Sequence, residues 1–419
     1  MLDRTVRPAF QKSNSFDLIR PETTVLKNGI PLIVVRGGDQ DVAKIEFVFD
    51  AGKWDESNPG VSYFTAHLLQ KGTASRSSYD ISNETEHRGI HFEVSPGHDF
   101  TSVALFGLTK NIGEIFGLTR EIITVPVFPQ HELDQTRAIY TQSLKINLEK
   151  TSYLASLELR KKLFGSRHPY GRDASLDEVA LIQRDWLLDF HRNRFGNFRI
   201  ICSGKITDAL LKSLISFFES VETNPTAQTN WPEIETSVSA SHIAKESSVQ
   251  SSLRLGRKAV SRLHRDYPAL LLLNHIFGGY FGSRLMKNIR EEKGLTYGIN
   301  SSMAALMHAS YITVGTDVNK ENREVAMQEI KNEMLALCEH LIGPNELEIA
   351  RNHFIGSLQS EITTPFAHAD KIKNLTLFSL PADYYQQLIY RIDALTANDL
   401  QDTAHIYLNP ETFTTVAVG

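Results

Sequence analysis

Two stretches of this 419-residue chain gather side chains that can do chemistry. In Phe277-Gly-Gly-Tyr-Phe-Gly-Ser-Arg284-Leu-Met-Lys-Asn-Ile-Arg290-Glu-Glu-Lys-Gly-Leu-Thr-Tyr297, the glycines Gly278, Gly279 and Gly282 open a helical run, and Arg290 stands seven residues before Tyr297. The glycines lack the Gly-Lys-Ser/Thr ending of a phosphate-binding loop, so they predict close backbone approach to a peptide or partner. Arg290, flanked by Glu291, Glu292 and Lys293, reads in isolation as a solvated helix end whose ion pairs are worth little. The glycine loop and Tyr297 are what favour a functional role.

The second stretch, Gly60-Val-Ser-Tyr63-Phe-Thr-Ala66-His67-Leu-Leu-Gln-Lys-Gly-Thr73, is a helix carrying one imidazole, His67, which read alone is a locally satisfied helix residue. His87, His91 and His98 cluster downstream, the first two four apart. That spacing gathers ligands only on a helix, and Gly89 followed by the alternating Ile90-His-Phe-Glu-Val94 predicts turn and strand instead.

The elements that must position these residues fall into two halves. Residues 223–241, rich in Thr, Ser, Asn and Pro, carry no apolar period and read as a linker. Across it, Arg88-Gly-Ile-His-Phe-Glu-Val-Ser95 matches Lys293-Gly-Leu-Thr-Tyr-Gly-Ile-Asn300. Likewise Glu132-Leu-Asp-Gln-Thr-Arg137 matches Glu346-Leu-Glu-Ile-Ala-Arg351, at offsets of 205 and 214 residues. Similar offsets in conserved order indicate a duplication into sister domains of roughly 200 residues, far above solenoid periods of about 20–50. The expected organisation is an arm at 1–20, a first domain at 21–222, the linker, and a second domain at 242–419. Strands are predicted at 30–35, 42–49, 90–94 and 101–106, and helices at 61–70, 110–123, 132–148 and 175–192. In the second half, helices are predicted at 267–277, 283–292, 319–341 and 344–362. Short turns between neighbouring strands predict an α+β class: two homologous domains, each a mostly antiparallel sheet with helices packed on one face.

The Gly60–Thr73 stretch resembles the metal-binding helix of the pitrilysin/insulysin (inverzincin) zinc peptidases, whose pattern is His-x-x-Glu-His followed by a Gly-Thr turn. The resemblance puts Tyr63 at the first His, Ala66 at the catalytic Glu and His67 at the second His. The family's third ligand, a Glu, falls near Gln142 to Leu144, where no carboxylate occurs between Asp134 and Glu149. A catalytic zinc needs three protein ligands, a phenol is a poor one, and Ala cannot accept a proton. No metal is therefore expected in this chain.

The 277–297 stretch resembles the same family's glycine-rich loop and Arg/Tyr pair. There the Tyr hydroxyl stabilises the oxyanion and the Arg grips the substrate backbone, opposite the metal site of another domain or subunit. By that resemblance Arg290 and Tyr297 are the catalytic candidates and Gly278, Gly279 and Gly282 the substrate-binding ones. The whole looks like the non-metal subunit of heterodimeric members such as the mitochondrial processing peptidase. The resemblance also implies that the edge at 93–101 is where a peptide would add as a strand, although Pro96 and Gly97 interrupt it.

Composition narrows the surroundings. Hydrophobic residues at 41% and charged ones at 22% are globular values, and no apolar run reaches the roughly 18 residues of a membrane span. A net charge of -5 disfavours nucleic acid. Cys202 and Cys338 fit no disulfide scaffold or metal spacing, Arg160-Lys161-Lys162 reads as a charged helix face, and the polar first 15 residues carry no export signal. The expectation is a cytoplasmic subunit, inactive alone, without nucleic-acid or membrane partners. It supplies substrate grip and oxyanion stabilisation to a homologous subunit whose intact motif holds zinc, acting on peptides or unfolded segments. The alternatives are a peptide-binding or structural scaffold and a self-sufficient zinc metalloendopeptidase, with a homodimer as the assembly of the isolated chain.

Overall fold

A computed structural model describes residues 15–224, 229–232 and 237–419. The arm at 1–14 and linker residues 225–228 and 233–236 lie outside the described residues.

The first half contributes β1 (Glu22–Val25), β2 (Pro31–Arg36), β3 (Val42–Phe49), β4 (His91–Pro96), β5 (Thr101–Leu108) and β6 (Phe198–Gly204) to a six-stranded sheet ordered β1-β2-β6-β3-β5-β4. The second half forms β7 (Ala240–Ile243), β8 (Gln250–Ala259), β9 (Ile299–Ala305), β10 (Ser310–Asn319) and β11 (Thr414–Val418), ordered β7-β11-β8-β10-β9. Apart from β1 the two sheets repeat strand for strand: β2 runs parallel to β6 as β7 does to β11, and the remaining pairs are antiparallel. In both, the edge strand, β4 or β9, follows a motif region in the chain.

Alternation along β2 and β3 decides what each face meets. Leu32, Val34, Ile45, Phe47 and Phe49 point into the first half's own core, under the helices Val61–Leu68 and Phe116–Thr124. The intervening Ile33, Val35 and Val48 meet Ala369 and Ile372 of the helix Pro365–Leu377, which belongs to the second half. The exchange is reciprocal. The helix Thr151–Phe164 of the first half lays Ala155, Leu159 and Leu163 against Val416 and Val418 of β11. Gly256 of β8 permits this approach, because a Cβ there would come within 2.9 Å of Leu159 Cδ2.

An ion cluster reinforces the first crossing. Glu46 of β3, 5% exposed, accepts from Lys373 Nζ at 2.8 Å and lies 3.2 Å from Lys44 Nζ. Burial works against the Glu46 carboxylate, yet the two lysines outweigh it and hold its pKa below the ordinary glutamate value.

Several predicted boundaries shift. The helix expected over 175–192 is two helices, Leu176–Leu181 and Arg184–Arg194, broken where Arg137 Nη2 takes the Ile182 carbonyl at 2.6 Å. Asn319 ends β10, so the helix expected from that residue begins at Arg323. The run expected as one helix over 267–277 is α-helical through Asn274 and continues as a π turn, His275–Gly279. No described helix is long and apolar enough to cross a membrane.

Candidate functional site

The Val61–Leu68 helix begins at Gly60, whose φ of 92° lies in the left-handed region that favours glycine. Gly60 offers no capping side chain, so buried Glu56 does the work: its Oε2 accepts from Gly60 N at 3.1 Å, Ser62 N at 3.2 Å and Ser62 Oγ at 2.8 Å. Burial raises the Glu56 pKa against those bonds.

Down this helix Ala66 is fully buried, and the His67 ring lies 4.1 Å from that of Tyr63, which in turn sits 4.7 Å from Tyr140 on the helix Gln130–Leu148. Tyr140 is the residue this second helix sets against the motif helix, Leu144 is buried in the same core, and Gln142 and Ser143 are exposed. Burial, with Lys71 adding to it, lowers the His67 pKa and keeps the imidazole neutral. Burial likewise raises Tyr63 and pushes Tyr140 up to about 12. One imidazole among protonated phenols is not a zinc donor set, so the metal implied by the fold does not fit these residues. Among the described residues no three His, Cys, Asp or Glu side chains are placed to hold a metal. His87 ends the Ser78–His87 helix and His91 lies on β4, so their spacing in sequence does not become a shared face.

Beside the phenols lies a cavity of about 240 Å³ lined by Lys53, Glu56, Tyr63, His98, Tyr140 and Asp173, among others. Its charge is organised around Asp173, which accepts from Lys53 Nζ at 2.7 Å, Arg160 Nη2 at 2.5 Å and Tyr153 OH at 3.1 Å. Burial opposes the Asp173 carboxylate, but Lys53 and Arg160 overcome it and hold its pKa far below the usual range. Arg160, expected to be part of a charged surface, therefore faces inward, while Lys161 and Lys162 pair locally with Glu158.

The second motif is built around close contacts. A Cβ on Gly278 would sit 2.7 Å from Ser301 N of β9, one on Gly279 3.2 Å from His275 Nδ1, and one on Gly282 2.7 Å from the Tyr280 ring. Arg284 clamps Glu346 through two bonds of 2.8 and 2.9 Å. Arg290 is half-buried with its guanidinium 4.9 Å from the ring centroid of Phe281. Tyr297 is 94% exposed and lines a second cavity of about 650 Å³ with His98, Arg160, Arg254 and Asp317, which Arg290 does not line.

That exposed phenol stands on a turn fixed by hydroxyls. Thr296 Oγ1 donates to Asp317 O at 2.8 Å and accepts from Gly298 N at 3.1 Å, and Thr316 Oγ1 lies 3.0 Å from both Thr296 Oγ1 and Gly298 O. Sequence reasoning passed over Thr296 and Thr316, whose spacing carries no signal until β10 folds beside the turn. It also passed over the pair His275 and His353, whose ring nitrogens lie 3.0 Å apart under the Tyr280 ring.

A duplicated two-sheet fold, with one imidazole among phenols on a first-half helix and Gly278, Gly279 and Gly282 clustered in the second half, defines the class. The insulinase (peptidase family M16) model matches residues 33–166, and the peptidase M16 inactive domain model matches residues 182–354. The chain belongs to the M16 family, its second half matching the family's inactive-domain model. It is 25% identical over 344 residues to an uncharacterized zinc protease of Rickettsia bellii, covering 80% of this chain and 82% of that one. It is 24% identical over 379 residues to the non-peptidase homolog YmxG of Helicobacter pylori, covering 87% and 85%. A peptidase M16 inactive domain from Pseudomonas fluorescens superposes with a TM-score of 0.87 at 24% identity, over 95% of this chain and 98% of that one. A chain of complex III2 from Candida albicans superposes at 0.76 with 14% identity, over 95% of each.

Proposed function

We propose that this chain is the non-metal subunit of a two-chain zinc peptidase, presenting Tyr297 and Arg290 to a homologous partner that carries the intact zinc motif. The observation behind this reading is the contrast between the two motifs. The metal helix has been refilled with Tyr63, Ala66 and Tyr140, while Tyr297 stays fully solvent-facing on a turn held by Thr296 and Thr316. An unused tyrosine at 94% exposure has no packing reason to be so firmly presented. In the proposed complex a zinc held by the partner would supply Lewis-acid chemistry at the scissile carbonyl. Tyr297 donates to the developing oxyanion, and Arg290, freed from Phe281, holds the substrate main chain.

A second reading, a structural subunit, draws support from the relative named a non-peptidase homolog and from the likeness to a complex III2 chain. Zinc-dependent cleavage of a quenched unstructured peptide separates the two. This chain is assayed alone, a homologous chain carrying a full His-x-x-Glu-His is assayed alone, and then the mixture is assayed. Activity confined to the mixture supports the peptidase subunit, and a relative fully active by itself supports the structural reading.

A further inference from the structure

A third cavity, of about 350 Å³, shares no lining residue with the two described above. Its walls come from three parts of the chain: Trp54, Phe164 and His168 of the first half, Trp231 of the linker, and Lys258 and His308 of the second half. These walls are fixed before any ligand arrives. Trp54 Nε1 donates to Thr229 O at 2.9 Å, and Trp231 Nε1 donates to Trp54 O at 2.8 Å. The His308 ring lies flat on Trp54 with centroids 3.8 Å apart, and Phe164 stacks on His168 at 5.5 Å. A cavity built this way needs little ordering to bind.

His168, 8% exposed, gives the site its polarity. Its Nδ1 accepts from Tyr170 N at 3.1 Å and caps the Pro169–Gly171 turn. A nitrogen that accepts from an amide carries no proton, so the neutral ring holds its proton on Nε2. Among the described residues nothing accepts from Nε2–H, and that atom is not sealed from the cavity. Burial first, then the Lys258 charge, lower the His168 pKa and keep the ring neutral. None of the described lining residues is acidic. Aromatic walls alone would suit a cationic guest, but Lys258 on the wall selects the opposite sign.

We propose that this cavity binds a small aromatic carboxylate, its ring against the aromatic walls and its carboxylate accepting from His168 Nε2 in the field of Lys258. Lys258 acts here through its charge rather than as a vacant donor. The size agrees, since small-molecule pockets begin at roughly 300 Å³, which leaves room for one ring and a short acid arm. Seated there, the ligand touches both halves and the linker at once, so the site is independent of the peptidase-subunit reading.

Trp54 and Trp231 wall the cavity while Trp186 packs against the first half's core, so tryptophan emission reports occupancy. The whole chain is titrated with phenylacetate and with phenylacetamide, its uncharged isostere, in wild type, His168→Asn and Lys258→Met, with thermal melts of each unliganded protein. Asn keeps a capping acceptor for Tyr170 N and removes the cavity donor. A saturable emission change with phenylacetate is expected, with the amide bound about tenfold more weakly and His168→Asn binding the acid about five- to tenfold more weakly. Lys258→Met is expected to lose affinity for the acid and keep that for the amide. No saturable change in wild type at millimolar phenylacetate overturns the proposal. Equal affinity for acid and amide also overturns it, because the pocket is then merely apolar. Acid affinity unchanged in both variants places the ligand elsewhere and overturns it too. Should unliganded His168→Asn melt lower than wild type, Lys258→Met and the acid-to-amide ratio decide by the same outcomes.

Discussion

Thr316 Oγ1 lies 3.0 Å from Thr296 Oγ1, and between them these hydroxyls fix both residues that flank Tyr297. Thr316 is 3% exposed while Tyr297 is 94% exposed, so a buried hydroxyl on β10 governs the most solvent-facing aromatic of the second half. Replacing Thr316 by Val keeps the shape and removes the bonds. The expected cost to global stability is about 1 kcal/mol. Amides 294–298 should exchange faster in hydrogen-exchange mass spectrometry while β8 and β11 remain protected. Unchanged exchange in that turn would show that the clasp does not hold it.

The crossed helices make Glu46 and Lys373 a joint between the halves. Lys373→Met leaves a buried carboxylate with Lys44 as its remaining cation, predicting a loss of about 2 kcal/mol, below the usual range for breaking a buried pair because Lys44 stays. The double variant Glu46→Gln/Lys373→Met should recover most of that loss in urea melts. Because the folded-state pKa of Glu46 is depressed, its contribution is complete above the ordinary glutamate pKa of about 4.3 and disappears as pH falls through the lower folded value. Acid melts of Glu46→Gln should therefore lack that component.

His275 behaves oppositely in origin but gives the same slope. Burial, with His353 adding to it, pushes its pKa down to about 4, so the folded chain binds fewer protons than the unfolded one below the ordinary histidine value of about 6.5. Stability should thus decline as pH drops from about 6.5 toward 4, and His275→Gln should show a shallower decline. An identical slope in the variant would remove His275 from the account.

Metal content gives a further check on the refilled helix. Purified without chelator, the chain should carry zinc only in substoichiometric amounts, measured by plasma mass spectrometry. Tyr63→His with Ala66→Glu should not restore tight binding, because Tyr140 stands against position 63 and no carboxylate lies between Asp134 and Glu149 to supply a third ligand. Stoichiometric zinc in the unmodified chain would contradict the donor-set argument.

What could be read from sequence was whatever lies contiguous along the chain. The motif helix was recognisable because Gly60 to Thr73 keeps the family's frame after its ligands are gone, and the antiparallel sheets because short turns join neighbouring strands such as β4 and β5. What escaped depends on contacts between distant segments. Ile33 and Val48 read simply as strand residues, and nothing in their pattern reveals that a helix some 330 residues away covers them. The break at Ile182 was hidden for the same reason, since its carbonyl is taken by Arg137 from another helix. His98 was legible as a histidine near the motif, but its place between two cavities exists only once both halves are packed.

The most direct test of the central claim is the kcat of the mixed enzyme with Tyr297→Phe in this chain, at subunit concentrations where complex formation with the partner is shown to be complete. Removing a single oxyanion donor predicts kcat lower by about 100-fold or more with KM little changed. A Tyr297→Phe complex as fast as wild type would contradict the account and leave this chain a structural partner.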